Sequence, residues 1–398
     1  MFRDEPSPDV VVIGGGVIGC AIARELAPNR RVLLLERDRI ASGATGRAAG
    51  EVTMTPSYPN HPAIAAHANE FFRRYDATDA IDYVEIPSVE PVSPDREETA
   101  RMRVDRLRNE GGDGGLDVDF LPSETVERRW PALELSEYVG AVRFGETGYL
   151  DPSRLANALR IDAEDAGARV ETCVRATGVL VDGGGAGGGE AGTVVGVETD
   201  RGTVDCSTVV AAAGWRTRDL LTPHLPIPIR PYRTQCVLVR SPALRPGSAP
   251  MGWLPGPDIY FRPMGDDDLL VGGRSAAVED PESASRSADE AFREHVATVV
   301  PDLLADAEPV HIVDDWAGID AATPDTRPII DRPSAGPAGL IVATGFHGRG
   351  VMTAPVAGTL VRCLIEETDP PFSADPFELS RFEDRSADFP FVSISEGG

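Results

Sequence analysis

Lysine is absent from this sequence of 398 residues, so all 38 basic side chains are arginines. The 64 acidic residues outnumber them and give a formal net charge of −26. A surface this negative repels phosphate backbones and anionic membranes, which argues against a nucleic-acid-binding protein. Excess carboxylates are typical of proteins adapted to concentrated salt, and we expect a halophilic source. A GC-rich genome is the alternative, but it explains only the missing lysine.

Cysteine and long apolar runs are also scarce. The sequence has five cysteines, an odd number, and none of them lies in a spacing typical of metal ligands. We therefore expect buried free thiols in a reducing compartment and no metal site. No apolar run reaches membrane length, and the first residues show no signal-peptide pattern. We expect a cytoplasmic protein without membrane insertion.

A glycine-rich segment near the N-terminus separates a β-branched run from a helical pattern. It reads VVVIGGGVIGCAIARELAPNRRVLLLERD from residue 10 to residue 38. The apolar run at 10–13 predicts a strand, the periodicity at 17–26 predicts a helix, and a second strand ends at Glu36. This order of elements is a βαβ unit.

The glycines of this unit have the spacing of a dinucleotide-binding turn. Gly14 permits the tight turn, Gly16 allows backbone to approach a pyrophosphate, and Gly19 lets the helix pack against the strand. Glu36 is placed to accept hydrogen bonds from a ribose diol. Its charge disfavours the 2′-phosphate of NADP, although the adjacent Arg37 weakens this point. NAD and FAD both remain compatible with this unit.

Parallel-type strands and helices alternate near the N-terminus, around residues 150–220 and toward the C-terminus, whereas 229–273 is rich in strands and proline. We predict helices at 62–74, 96–109, 151–166 with Asp151 as N-cap, 288–299 and 354–367. The run GGGAGGGEAG, flanked by strand patterns, predicts a mobile hairpin tip. The fold class is α/β: a Rossmann-type domain built from discontinuous pieces, with an inserted substrate part of antiparallel or mixed sheet.

Six further segments follow the glycine turn in order: RDRIASGATGRAAGEV, GYLDPSRLANAL, TVVAAAGW, PYRTQ, WAGIDAATPDTRPIID and ATGFHGRGVMTAPVAG. Together they resemble the D-amino acid oxidase superfamily, which includes glycine oxidase, sarcosine oxidase and dimethylglycine dehydrogenase. The resemblance implies an FAD enzyme that takes a hydride from a carbon next to an amine nitrogen. We expect an FAD-binding domain at 1–60, 140–225 and 315–370, a substrate domain at 61–139 and 226–314, and a tail at 371–398.

The resemblance also implies which residues contact FAD. By position these are Gly14, Gly16, Val17, Ile18, Gly19, Glu36, Arg37, Ser42, Thr45, Gly46, Arg47, Ala48, Gly50, Val174, Ala212, Gly214, Trp215, Gly318, Gly345, Phe346, His347, Gly348, Arg349, Gly350, Val351 and Met352. The amide groups that open the last helix would face the side of the flavin that becomes negative on reduction, with Arg349 adding charge. A surface ion pair is the alternative for Arg349.

Two departures from the family pattern concern the flavin. Relatives that attach FAD covalently use a histidine or a cysteine at positions that here hold Arg47 and Gly318, so we expect non-covalent FAD. The oxygen-activating lysine of sarcosine-type oxidases matches Leu270. Because a cation near the flavin stabilises superoxide, its absence favours a dehydrogenase that passes electrons to an external acceptor.

A third departure concerns the substrate. The best-known carboxylate anchors of the family match Asp320 and a position near Met352, so neither is present. Arg262, with Tyr260 beside it, is the replacement candidate, and Arg274 and Arg233 are fallbacks; a structural ion pair is the alternative for Arg262.

Asp320 either recognises a cationic substrate or caps a turn, and His347 either contacts substrate or packs internally. We assign Gln235 a structural role and name no catalytic base, because the nitrogen lone pair itself stabilises the product iminium.

Two other functions stay open. Related folds take hydride from a 2-hydroxy acid or glycerol phosphate, and an FAD-bearing subunit could relay electrons within a hetero-oligomer. Substrate, acceptor and oligomeric state are not determined by the sequence.

Overall fold

The computed structural model describes residues 6–110, 116–183, 192–305 and 310–393. This part of the chain forms strands β1 Val10–Ile13, β2 Val32–Leu35, β3 Glu51–Val52, β4 Val84–Glu85, β5 Ser88–Val92, β6 Val118–Pro122, β7 Gly140–Phe144, β8 Gly148–Tyr149, β9 Arg169–Glu171, β10 Ala176–Asp182, β11 Thr193–Thr199, β12 Gly202–Asp205, β13 Thr208–Ala211, β14 Arg230–Arg240, β15 Met251–Leu254, β16 Ile259–Met264, β17 Asp268–Ala277, β18 His311–Ala322, β19 Ile329–Asp331 and β20 Leu340–Thr344.

The same residues form helices α1 Val17–Leu26, α2 Met54–Ser57, α3 Pro62–Asp76, α4 Glu97–Glu110, α5 Ser123–Arg129, α6 Pro152–Asp165, α7 Thr217–Leu221, α8 Glu290–Leu303 and α9 Gly350–Glu366. Short 3-10 helices lie at Thr45–Arg47, Pro94–Arg96, Gly214–Arg216, Asp375–Phe377 and Leu379–Arg381. The predicted helices are confirmed, and Asp151 caps α6 by accepting hydrogen bonds from the backbone N–H groups of Ser153 and Arg154. The predicted start of the last helix is wrong by about one turn, because Pro355 lies inside α9 and does not begin it.

A six-stranded sheet carries the N-terminal βαβ unit. Its order is β19-β20-β13-β1-β2-β9, and all pairs are parallel except β19 with β20. The strands β1 and β2 are wholly buried, which agrees with their unbroken apolar sequences. Helices α1, α6 and α9 pack with one face of this sheet into a single core. The Rossmann-type prediction is confirmed.

An eight-stranded mixed sheet forms the second layer, in the order β18-β14-β17-β16-β15-β5-β7-β6. Its pairs are antiparallel apart from β15 with β5. The sheet contains β7 and β18, although the predicted boundaries at residues 140 and 315 assign residues of both strands to the FAD-binding domain. The boundaries fall inside these strands because each strand leads, along the chain, directly into a segment that lies on the same side of the molecule as the glycine turn. The division into domains stays a prediction.

Two three-stranded sheets complete the fold. β10, β11 and β12 form antiparallel hairpins, so the strands on either side of the glycine run pair as expected. The tip itself, residues 184–191, lies outside the described residues. The other small sheet, β3-β8-β4, places Glu51 opposite Tyr149. Among the described helices, none combines the length and apolar character needed to cross a membrane.

Candidate active site

A cleft of about 1670 Å³ lies at the carboxyl ends of β1 and β2 and reaches the eight-stranded sheet. The N-terminal glycine turn and the segment before α9 line the same cleft. Of the residues predicted to contact FAD, the lining includes Gly14, Gly16, Val17, Ile18, Glu36, Arg37, Ser42, Thr45, Arg47, Ala48, Gly50, Val174, Ala212, Gly214, Trp215, Gly318, Phe346, Gly348, Arg349, Gly350, Val351 and Met352. The predicted residues outside the lining are Gly19, Gly46, Gly345 and His347.

The glycine turn brings strand β1 into helix α1 at very short range. Gly14 has a φ of +115°, and a Cβ there would lie 2.4 Å from the carbonyl oxygen of Ala212. A Cβ on Gly19 would lie 1.8 Å from the carbonyl oxygen of Gly14. Only glycine fits at these two positions. Gly19 therefore acts by packing the helix against the turn, which explains its place outside the cleft lining.

Helix α1 begins at the cleft without a side-chain cap. The hydroxyl of Thr45 accepts a hydrogen bond from the N–H of Val17 at 3.1 Å. Glu36 holds the turn from the other side, because its carboxylate accepts from the N–H groups of Gly15 at 2.7 Å and Asp38 at 2.8 Å. A helix start of this kind presents positive partial charge to the cleft.

Helix α9 also begins at this cleft without a side-chain cap. Its first residues, Gly350 to Met352, lie in the lining. Arg349 precedes them and is buried, and its guanidinium donates to the carbonyl oxygen of Thr326 at 2.7 Å. Arg349 is therefore a buried cation at the cleft and not a surface residue paired with a carboxylate.

The ring of His347 is buried and lies outside the cleft lining. Its Nε2 is bonded to the carbonyl oxygen of Val392 at 3.0 Å, and Nδ1 accepts from the N–H of Thr323 at 3.4 Å. Burial and the nearby Arg349 lower the pKa of His347 to about 4, so the ring is neutral at pH 7. The structure thus places His347 in the packing role that we considered as the alternative to substrate contact.

The predicted substrate residues separate into two groups. Tyr260 and Asp320 line the cleft, whereas Arg262, Arg233 and Arg274 lie outside the lining. Burial raises the pKa of the Asp320 carboxyl, although the N–H of Gly348 donates to it at 2.7 Å.

The contacts of the other candidates are structural. Arg262 is buried, and it donates to the carbonyl oxygens of Ala49 at 2.5 Å and Pro263 at 2.9 Å. In the described part of the chain, Arg262 is thus a cation held by backbone carbonyl groups and interacting electrostatically with Glu51, and its role toward a substrate stays a prediction. Gln235 accepts from the N–H of Asp289 at 2.8 Å, which agrees with its structural assignment.

Strand β18 contacts both segments that are predicted to bind FAD, the one that contains Arg47 and the one that precedes α9. The indole N–H of Trp316 donates to the carbonyl oxygen of Arg47 at 3.0 Å, and Asp320 further along accepts from Gly348. Gly318 lies between them, where a Cβ would be 3.1 Å from the Cβ of Arg47. Arg47 and Gly318 are the two positions at which relatives attach flavin, and they are neighbours here. Neither residue offers a sulfur or imidazole nucleophile.

Sequence reasoning missed Glu51 and Tyr232, which also line the cleft. Burial raises the pKa of Glu51 to about 8 and raises that of Tyr232 well above its ordinary value. The signal for Glu51 was its position directly after Gly50, an acid inside an otherwise small and apolar segment. Nothing comparable marked Tyr232, which follows a proline in a strand.

The donor set fits FAD. Two uncapped helix starts open on one cleft, glycines occupy the positions where side chains would collide, and Glu36 stands at the end of β2. The α1 start would hold the pyrophosphate, Glu36 the ribose, and the α9 start the pole of the flavin that gains charge.

A comparison of the sequence with models of protein families identifies the family of this chain. The sequence model described as "DAO: FAD dependent oxidoreductase" matches residues 9–364. The chain belongs to the DAO family. As a DAO-family protein it is an FAD-dependent oxidoreductase, and FAD is its cofactor. Both the predicted family and the predicted cofactor are confirmed.

Individual relatives cover almost the whole DAO chain. Glycine oxidase of Geobacillus kaustophilus is 28% identical over 386 residues, which are 94% of this chain and 97% of that protein. Its crystal structure has a TM-score of 0.82 at 25% identity, covering 95% and 99% of the two chains. L-proline dehydrogenase from P. horikoshii shares the fold, with a TM-score of 0.84 at 23% identity over 95% and 98%.

A further relative is longer than this chain. The 4-methylaminobutanoate oxidase (formaldehyde-forming) of Paenarthrobacter nicotinovorans is 28% identical over 395 residues. The match covers 94% of this chain but spans 45% of that relative.

Proposed function

We propose that this DAO-family protein oxidises the bond between an amine nitrogen and the neighbouring carbon of an amino acid or N-methyl amine. The observation that carries the proposal is that two half-buried carboxyl groups, Glu51 and Asp320, line the cleft together with both helix starts, and that desolvation raises the pKa of each. Carboxyl groups favour a substrate that presents N–H donors and positive charge over an anionic one. The names of the glycine and methylaminobutanoate oxidases support an amine substrate as well.

FAD, bound without a covalent link, takes up the hydride equivalent in this reaction. The chain supplies binding and exclusion of water. Tyr260 and Tyr232 border the cleft with aromatic rings, and the pKa of each phenol is raised well above its ordinary value by burial. Neutral, desolvated surroundings of this kind favour the uncharged amine, whose lone pair stabilises the iminium product.

We further propose that the enzyme is a dehydrogenase that uses an acceptor other than O2. Leu270, at the position of the family's oxygen-activating lysine, is buried, and the chain has no lysine that could substitute. An oxidase is the second candidate, and a specific observation favours it. Arg262 lies directly opposite Leu270 in the register of β16 and β17, so a buried cation stands beside this position.

The test is an anaerobic screen of flavin bleaching. FAD-loaded protein is mixed without oxygen with glycine, sarcosine, proline, 4-methylaminobutanoate and D-alanine, and in parallel with 2-hydroxy acids and glycerol phosphate. We expect bleaching by at least one amine and by none of the oxygen compounds. Bleaching by a hydroxy acid alone would refute the amine assignment, and the absence of any bleaching, with a copurifying partner, would favour an electron-relay subunit.

Admission of air to the bleached enzyme then decides between dehydrogenase and oxidase. A dehydrogenase recovers its yellow colour far more slowly than it turns over with an artificial acceptor such as a phenazine dye. Recovery at the pace of turnover would identify an oxidase and would point to Arg262 as the cation involved. The variant Arg262→Leu tests that point, because it should slow reoxidation by air by a much larger factor than it slows anaerobic bleaching by amine.

A further inference from the structure

Glu51 has an unusual position in the described part of the protein. It begins β3, lines the cleft, and its Oε1 has no access to solvent and no hydrogen-bond partner. A buried polar atom without a partner costs free energy, and one that belongs to the lining of a ligand cleft is a candidate for pairing with the ligand. The preceding residues, Arg47 to Gly50, belong to the segment predicted to contact FAD, so Glu51 stands next to the cofactor region.

The charged and titratable neighbours of Glu51 come from three strands. Arg262 and Tyr260 lie on β16 and Cys236 on β14, and these three interact with Glu51 electrostatically. Tyr149 on β8 is its partner in the sheet register.

The neighbouring cation is already engaged. Arg262 donates to Ala49 and Pro263, and its guanidinium carbon lies 4.6 Å from the ring centroid of Tyr149. The phenol of Tyr260 is 3.5 Å from the sulfur of Cys236. None of these groups is hydrogen-bonded to Glu51 Oε1, which leaves this acceptor for a bound molecule.

The ionisation of Glu51 suits a cationic partner. Burial raises the pKa of its carboxyl to about 8, and the charge of Arg262 offsets only part of this effect. The carboxyl is therefore largely protonated at neutral pH, and it ionises when a positive donor enters beside it. Tyr260 belongs to the same lining, and aromatic rings attract cations.

We propose that Glu51 binds the amine nitrogen of the substrate and shares a single proton with it. This inference rests on the proposed amine oxidation. The amine arrives as an ammonium ion and Glu51 starts as the neutral acid, so one proton leaves to solvent on binding. The remaining proton moves from nitrogen to the Glu51 oxygen as an N–H bond breaks and an O–H bond forms. No electrons are transferred in this step, and it leaves the nitrogen lone pair free.

The proton count gives the test a characteristic pH profile. In the wild type, the Kd of the amine should fall about tenfold per pH unit up to about pH 8 and then level off, because above that pH Glu51 is already ionised. In Glu51→Gln the amine must lose its own proton to bind in the reactive form. Its Kd should continue to fall until the ammonium group titrates near pH 10, and near pH 8 it should be about tenfold or more above the wild-type value.

The experiment uses the amine that bleaches the flavin fastest in the anaerobic screen. Its Kd is taken from the dependence of the single-turnover bleaching rate on amine concentration at each pH. Glu51→Asp keeps the acid and should restore a plateau. Glu85→Gln is the matched control, since it removes a carboxylate from an exposed strand of the same small sheet and should behave as the wild type.

Each outcome bears on one proposal. If amines bleach the wild type and Glu51→Gln keeps the plateau near pH 8, the role of Glu51 is refuted while the proposed function stands. If Glu51→Gln folds but no longer retains FAD, Glu51 serves the cofactor and the inference is also wrong. If no amine bleaches the wild type at any pH, the proposed function itself fails, whatever the variants do.

Discussion

The buried acid Glu51 should make the apoprotein less stable as the pH rises, and the substitution Glu51→Gln should remove this penalty. The folded state holds the Glu51 proton up to about pH 8, whereas the unfolded chain releases it near 4.5. Between these values the folded state holds at Glu51 a proton that the unfolded chain has released, so the contribution of Glu51 to the free energy of unfolding falls as the pH increases. The glutamine variant has the same shape and no proton to lose.

The size of the effect follows from the interval between the two pKa values. At pH 7 the wild type is about 2.5 pH units above the unfolded pKa, which corresponds to about 3 kcal/mol at 1.36 kcal/mol per unit. Part of the side chain remains open to the cleft, where water screens the charge, and this reduces the expected difference to about 2 kcal/mol. Below about pH 4.5 the two proteins should be equally stable, since both carry a neutral side chain.

Urea unfolding of the apoproteins at a series of pH values measures this difference. The variant Glu85→Gln, on an exposed strand, corrects for the loss of one carboxylate from a strongly acidic protein. A difference between wild type and Glu51→Gln that stays constant from about pH 5 to about pH 8 would refute the reasoning. So would a glutamine variant that is less stable than the wild type over that range.

Four further predictions concern the glycine turn, His347 and the flavin linkage. Gly16→Ala should weaken FAD binding about tenfold or more, because Gly16 lines the cleft and a Cβ there takes up space beside the cofactor. The stability of the apoprotein should stay within about 1 kcal/mol of wild type, because this Cβ meets only Thr45 Oγ1, at 3.2 Å. Gly19→Ala should destabilise the apoprotein itself by about 1–3 kcal/mol, while Gly43→Ala, with no atom within 4 Å of its Cβ, should do neither; fluorescence titration with FAD and urea unfolding measure both. The wild type should lose free energy of unfolding as the pH falls from about 6.5 to about 4, because the folded state keeps the His347 ring neutral while the unfolded chain protonates it. In His347→Asn this loss should be smaller by about 2–3 kcal/mol. A parallel pH dependence in variant and wild type would contradict the assigned pKa. Acid precipitation should release all the flavin into the supernatant, and yellow colour remaining in the pellet would disprove non-covalent binding.

Local pattern was sufficient to predict the N-terminal unit. An unbroken β-branched run, three glycines at fixed spacing and an amphipathic helix specify β1, the turn and α1 within a few residues, and the structure has the same bounds. The last helix was misplaced because a proline at residue 355 reads as a helix start, while packing of α9 against α1 maintains the helix around it. The domain boundaries depend on which sheet each strand joins, and β7 and β18 carry no local signal for that choice.

The substrate side was harder to predict, because the role of a charged side chain depends on what surrounds it. Arg262 was a reasonable carboxylate anchor by residue type, yet in the fold it lies outside the cleft lining, and two of its N–H groups donate to backbone carbonyl groups. Glu51 was overlooked because an acid beside a glycine segment is usually solvated, and only the pairing of β3 with β8 shows that this one is enclosed. Burial and hydrogen-bond partners are properties of the assembled site, not of a sequence motif.

Strand β18 has a mechanical consequence for access to the reaction centre. One continuous strand is hydrogen-bonded to the cofactor segment near the N-terminus through Trp316 and to the one before α9 through Asp320. Swinging the eight-stranded sheet away from the six-stranded one would have to break both bonds and withdraw the half-buried carboxyl group of Asp320 from its backbone donor. Through these two hydrogen bonds, strand β18 restrains the distance between the two layers. Substrate exchange along the open cleft leaves both hydrogen bonds in place, whereas a separation of the two layers has to break them.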